Sequence, residues 1–273
     1  VVGLGYDSVD SIKAIFNAKI IANKFGHIIN NISSLSKNNS LFQLQYLIPD
    51  KLIKEARYMI QTSYLIDNAK NDKSFNIAIS YSNKNDTSDV NFGLNAMHNQ
   101  QKISGSKVIS NMVYPFFSTA RKYIIKWHNR DIKQNWTFSG LFAKKGISSN
   151  IDLIQAKTSY YSKVPINEEI RIVFSGQLGV NHTSDPSKQP SPTLLALGGN
   201  NGLRGYAFNS IINRVDQFQL LRAISFELQK KITENIYGTL FLDLGQVSKS
   251  FDEPWLRGVG VGAVYSTAIG DVN

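Results

Sequence analysis

The chain has no cysteine among its 273 residues, so disulfides and thiolate metal sites are excluded. It has no apolar run approaching the roughly 20 residues that a membrane-spanning helix needs, because charges interrupt every such run. No segment reads as a helix, and no repeat of about 20 to 50 residues points to a propeller or solenoid. Metal-binding spacing is also missing. The four histidines, His27, His98, His128 and His182, stand alone in sequence, with no partner at the spacings that zinc sites use. There is no Gly-x-Ser-x-Gly elbow of the hydrolase kind. Ser139-Gly140 and Ser175-Gly176 fall inside alternating stretches and read as structural. Catalysis by this segment is therefore not expected. Val1 opens directly on an apolar, glycine-containing run with no basic leader before it. The chain is therefore expected to be a piece of a longer exported precursor.

Acidic residues are fewer than basic ones, and the formal net charge is +10. Such a balance can serve nucleic acid, anionic lipid or acidic partners. Here most lysines lie singly between polar residues, as on turns. The one dense stretch, Arg121, Lys122, Lys126, Arg130 and Lys133, has no RNA-binding motif around it, and nucleic acid is not an expected partner.

The chain does have a period of two. From 170 to 181, Ile170, Ile172, Phe174, Leu178 and Val180 fall on one face, and Arg171, Ser175, Gln177 and Asn181 on the other. Val173 is the one mismatch. Ile224, Phe226 and Leu228 alternate with Ser225, Glu227 and Gln229 in the same way. Turn-forming clusters separate these runs at 50–51, 68–73, 84–88, 146–150 and 184–192. About 14 strands fit the template. Many are about 9 to 12 residues long, enough to cross a bilayer at a tilt, and longer than the usual strand of a soluble sandwich. Charges such as Arg57, Arg171 and Glu227 sit in mid-strand. A water-filled lumen tolerates that on the polar face, although the solvent face of a sandwich would too. The fold class expected is all-β: an antiparallel transmembrane barrel.

The most specific stretch is 197–206, Leu-Gly-Gly-Asn-Asn-Gly-Leu-Arg-Gly-Tyr. Its glycines and asparagines predict a tight backbone with positive φ at several positions. It lacks the Gly-Lys-Ser/Thr of a phosphate loop, and neither a helix nor a βαβ unit surrounds it.

Gly198 and Gly199, a short spacer, then Leu203-Arg204-Gly205-Tyr206 resemble the loop motif of the BamA/TamA outer-membrane assembly superfamily (the bacterial surface antigen family). Residues 1–6 resemble that family's first barrel strand, Phe25-Gly26-His27 the opening of its third, and Gln45 to Pro49 the end of its fourth. Phe241-x-Asp243-x-Gly245 and Gly258-x-Gly260-x-Gly262 resemble the two strands after the loop. Asn209-Ser210-Ile211, following the motif, is most similar to TamA. The resemblance spans nearly the whole chain. It implies a barrel of the roughly 16-stranded type with a loop, 182–218, folded into the lumen. The alternation places Glu227 on the lumen face, and Asp243 with Thr239 and Phe241. The resemblance implies that both acids hold Arg204. It also implies that the first strand, softened by Gly3 and Gly5, forms one side of a seam that opens sideways.

The implied setting is bacterial outer-membrane lipid. Unfolded outer-membrane proteins or autotransporters are the implied clients, with a TamB-like periplasm-spanning partner and no cofactor. Ser266 to Asp271 lacks the family's two prolines here. The single barrel domain, 1–273, is thus expected to stop before the last two strands, with periplasmic POTRA-type domains upstream. A two-partner-secretion transporter, the membrane anchor of a patatin-like lipase, a passive porin and a soluble sandwich stand as alternatives.

Overall fold

In the computed structural model of the protein, the described residues are 2–7, 11–37, 39–68, 71–103, 105–128, 130–199, 202–267 and 270–272. The first strands are β1 (Val2–Asp7), β2 (Ser11–Ile21), β3 (Ile28–Ser36), β4 (Asn39–Pro49), β5 (Ala56–Asp67), β6 (Asp72–Lys84) and β7 (Ser88–Ile103). There follow β8 (Ser106–Trp127), β9 (Arg130–Ala143), β10 (Leu153–Pro165) and β11 (Ile170–Thr183). A long connection then carries two 3-10 turns and the short strands β12 (Ala196–Leu197) and β13 (Ile211–Ile212). Last come β14 (Phe218–Lys231), β15 (Ile236–Ser248), β16 (Leu256–Thr267) and β17 (Gly270–Val272).

Among the described residues, one sheet of 15 strands runs in chain order from β1 to β17, passing directly from β11 to β14. Strands β1 to β7 pair antiparallel in succession, as do β14 to β17. The strands expected from alternation are all present. Within this sheet one further strand was not expected: β17 pairs with β16 through Tyr265↔Val272 and Thr267↔Gly270. Three residues are too few for period two to register.

The chain groups into two compact units. The first is Val1–Thr119, Ser139–Gln155 and His182–Leu194. Its buried apolar cluster joins Met97, Met112, Tyr114, Ala143, Ile151 and Leu153. The start of the long connection is tied down here by wall side chains that bind its backbone. Gln101 donates to the Gln189 carbonyl at 3.0 Å, Gln155 to the Thr193 carbonyl at 2.5 Å, and Ser110 to the Lys188 carbonyl.

The second unit is Ala120–Phe138, Ala156–Asn181 and Leu195–Asn273. In it the register of β14, β15 and β16 sorts side chains onto two faces. Ser225 pairs with Asp243 and Glu227 with Phe241. Across the next pairing, Asp243 faces Gly258, Phe241 faces Gly260 and Thr239 faces Gly262. The alternate row, Phe226, Leu228, Leu240, Leu242, Val259 and Val261, is exposed, with Val259 at 82%. Water would not leave such a row uncovered; a lipid-facing wall presents one. The polar row is the buried one, with Asp243 only 1% exposed.

Candidate functional site: an arginine-held loop

The loop enters the second unit as a small hairpin. Leu197 pairs with Ile211, and Leu195 and Leu197 bury against Leu221, Ala223 and Val247. The wall is cut away to receive them. A Cβ on Gly245 would stand 3.0 Å from the Leu197 side chain, and one on Gly179 the same distance from Leu195. The hairpin then reverses through Gly198 and Gly199, both at positive φ (115° and 84°). Asn200 and Asn201 lie outside the described residues. Gly199 N–H donates to the Tyr206 carbonyl at 3.0 Å, and Gly202 N–H to the Gly199 carbonyl. Leu203 is fully buried, which aims the next residue at the wall.

That residue is Arg204. Its backbone N–H and Nε both donate to Asp243 Oδ2, at 2.9 and 2.7 Å. Nη2 donates to Asp243 Oδ1 at 2.7 Å and to Ser225 Oγ at 2.9 Å. Nη1 donates to Glu227 Oε1 at 2.5 Å. The guanidinium also stacks on Phe241, 3.7 Å from the ring centroid. A planar fork can serve two carboxylates and a ring at once; a point charge on a flexible stem cannot.

The acids have further support. Ser225 donates to Asp243 Oδ1 at 2.7 Å and Gln229 to Glu227 Oε2 at 2.6 Å. Arg171 in turn donates to Gln229 Oε1 at 2.6 Å and stacks over Tyr237. The second partner of the loop is empty space. A Cβ on Gly258 would fall 2.2 Å from the Arg204 carbonyl oxygen, and one on Gly260 would fall 2.6 Å from the Phe241 ring.

The structure thus brings Leu203, Arg204, Glu227 and Asp243 together, with Gly198 and Gly199 as the hinge. Gly205, at φ 90°, continues the turn. Tyr206 takes part through its carbonyl rather than its ring. Gly3 and Gly5 are elsewhere, in β1, opposite Ile15 and Lys13 of β2. Ser225, Phe241, Gly258 and Arg171 were not singled out from sequence as members of the site. The signal for two of them was present: Ser225 lies two residues from Glu227 and Phe241 two from Asp243, on the same face. Replacing Phe241 with leucine is expected to cost about 0.5–2 kcal/mol, the worth of one desolvated cation–π contact. Denaturant midpoints of the folded protein in detergent check this.

Residues 16–272 match the model of the Omp85 superfamily domain. The chain belongs to the Omp85 superfamily. BamA from Haemophilus ducreyi lacking POTRA domains 1–3 shares the fold. The TM-score is 0.79 at 14% identity, over 99% of this chain and 64% of that one. This Omp85 chain therefore spans less than two thirds of that relative's length. CdiB from Acinetobacter baumannii matches at TM-score 0.38 and 12% identity, over 98% of this chain and 60% of its own. OmpT of Vibrio cholerae, folded in vitro, matches at 0.45 and 8%, over 97% and 93%. Those two scores are too low for a shared fold to be read from them. The Omp85 assignment makes the exposed row of β14 to β16 the lipid face of an outer-membrane barrel, and the Arg204 site part of its inner face.

Proposed function

We propose that this Omp85 barrel belongs to an outer-membrane assembly or translocation factor, which inserts or secretes β-barrel proteins or autotransporters. The observation that carries the reading is the five-bond anchorage of Arg204 to Asp243, Glu227 and Ser225. A passive porin gains nothing from fixing one loop residue this firmly to the inner wall. A factor that handles strands one at a time needs both a rigid element and a yielding one. In this reading β1 is the yielding element. Interior glycine weakens strand pairing, and β1 carries Gly3 and Gly5 within six residues. Client strands add to its edge by β-augmentation. A TamB-like partner accompanies the barrel, and neither cofactor nor catalytic residue takes part.

The absence of cysteine makes the test clean. Gly5→Cys supplies the only thiol within these 273 residues. In outer membranes, cross-linking from this position is expected to capture β-barrel or autotransporter precursors, and to fail when the client lacks its terminal strand. Capture from an inner-face position such as Gln61→Cys, with none from Gly5→Cys, would favour a two-partner-secretion transporter. Capture from neither position by a folded barrel would sink the proposal.

A further inference from the structure

We propose that the hairpin formed by the end of β8 and the start of β9 docks onto anionic phospholipid of the periplasmic leaflet. Strand β8 has 22 residues. At about 3.3 Å per residue it reaches roughly 70 Å, against a hydrocarbon band about 25 Å tall. It therefore runs well beyond the membrane. Its burial shows where. Higher in the strand, Met112 and Tyr114 are buried while Val113 and Phe117 are exposed. From Arg121 to His128 that contrast disappears, and every residue is exposed on both faces.

The exposed segment is unlike a solvated loop. Arg121, Tyr123, Ile125 and Trp127 continue the outward row of β8. Lys122, Ile124 and Lys126 continue the inward row. Ile124 is 65% exposed and Trp127 45%. Contiguous apolar surface of this kind marks an interaction site. On β9 the hairpin adds Arg130 and Lys133, with Asp131 the single acid of the segment 121–133. Among the described residues no ion pair engages Arg121, Lys122 or Lys126. Arg130 braces the base, donating to the Ile166 carbonyl at 2.5 Å.

Two features select lipid over an acidic protein. The first is place. The turns after β8, β10 and β14 share one end of the second unit and are short, spanning 128–129, 166–169 and 232–235. The long connection before β14 and the segment 249–255 lie at the other end. Short turns are periplasmic in outer-membrane barrels. The second is chemistry. Aromatic and aliphatic side chains alternate with cations directly beyond the lipid-facing Trp136 and Phe138. Rings settle at headgroup level, lysine stems lie along the apolar boundary, and phosphates draw the cations.

Ile125→Cys on the outward row, the only thiol within these 273 residues, carries a polarity-sensitive fluorophore. The protein is placed in nanodiscs of phosphatidylcholine alone, or of equal parts phosphatidylcholine and phosphatidylglycerol. The expected result is blue-shifted emission and shielding from an aqueous quencher in the anionic discs, reversed at high salt. Each charge removed from Arg121, Lys122 and Lys126 by glutamine is expected to lower phosphatidylglycerol enrichment around the protein about fivefold at most. The lipid and salt comparison needs no charge variant, so a poorly folding variant leaves it intact. Identical emission and quenching in the two lipids would overturn the proposal. So would shielding that arises only when an acidic periplasmic protein is added.

Discussion

Arg204→Ala is expected to free the loop from the wall and to cost about 3–5 kcal/mol, the usual penalty for stranding the partners of a buried ion pair. The cost falls on what remains. Asp243 is 1% exposed and Glu227 8%, and without the guanidinium the two carboxylates face each other's field with only Ser225 and Gln229 as side-chain donors. The penalty belongs to the charges, not to the missing side chain. Adding Asp243→Asn and Glu227→Gln to Arg204→Ala should therefore restore much of the stability while leaving the loop loose. Arg204→Lys should fall between, since one ammonium cannot reach both carboxylates and lie flat on Phe241. Denaturant midpoints by heat-dependent gel mobility report stability, and protease cleavage within 202–209 reports the loop. Wild-type protection and midpoint in Arg204→Ala would contradict the assignment.

Gly258→Ala should rival it through a different cause. Its Cβ would meet the Arg204 carbonyl at 2.2 Å. That oxygen is backbone held by two side-chain anchors, so neither partner can turn away. The loop must lift or β16 must slip against β15, and a one-residue slip would turn the Gly258 row outward and bring Val259 to the inner face. The loss is expected at or above the top of the usual overpacking range, about 3 kcal/mol. The neighbouring glycines give the control. Gly260→Ala meets the Phe241 ring at 2.6 Å, and a side chain can yield in part, so about 1–3 kcal/mol is expected. Gly262→Ala meets only the Thr239 methyl at 3.3 Å. There the reduced chain entropy of alanine should offset the contact, for a net change within about 1 kcal/mol. Equal effects at all three positions would mean that the glycines merely shape the strand.

The sequence made the strands legible because the wall has two solvents. Lipid demands Phe226, Leu228, Leu240 and Leu242 on one row; the other row is free to be polar. Any residue two steps from a recognised wall acid could then be placed, Ser225 and Phe241 included. Register was harder to see. That Gly258 stands opposite Asp243, and not one position away, depends on the β15–β16 pairing, which no single strand encodes. The glutamine contacts of the first unit stayed hidden for another reason. Gln101 and Gln155 bind carbonyls of 187–193, and a carbonyl is the same for every residue. Arg222 lies beyond the reach of alternation altogether. It shares the lipid-facing row with Ile224, yet it is buried, donating to the carbonyls of Phe251 and Glu253 beside Trp255. The segment 249–255 covers it, and alternation has no term for a loop folding over the wall.

Hydrogen exchange at the Arg204 backbone amide, read in the folded full chain in nanodiscs, addresses the anchored loop most directly. This N–H ends on Asp243 Oδ2 rather than on another amide, so its protection reports the side-chain anchorage alone. Exchange should be slow, comparable with the β14–β15 ladder, and should accelerate sharply in Asp243→Asn. Exchange at the rate of an open surface loop in the unmodified protein would contradict the anchorage, and with it the rigid element on which the proposed function rests.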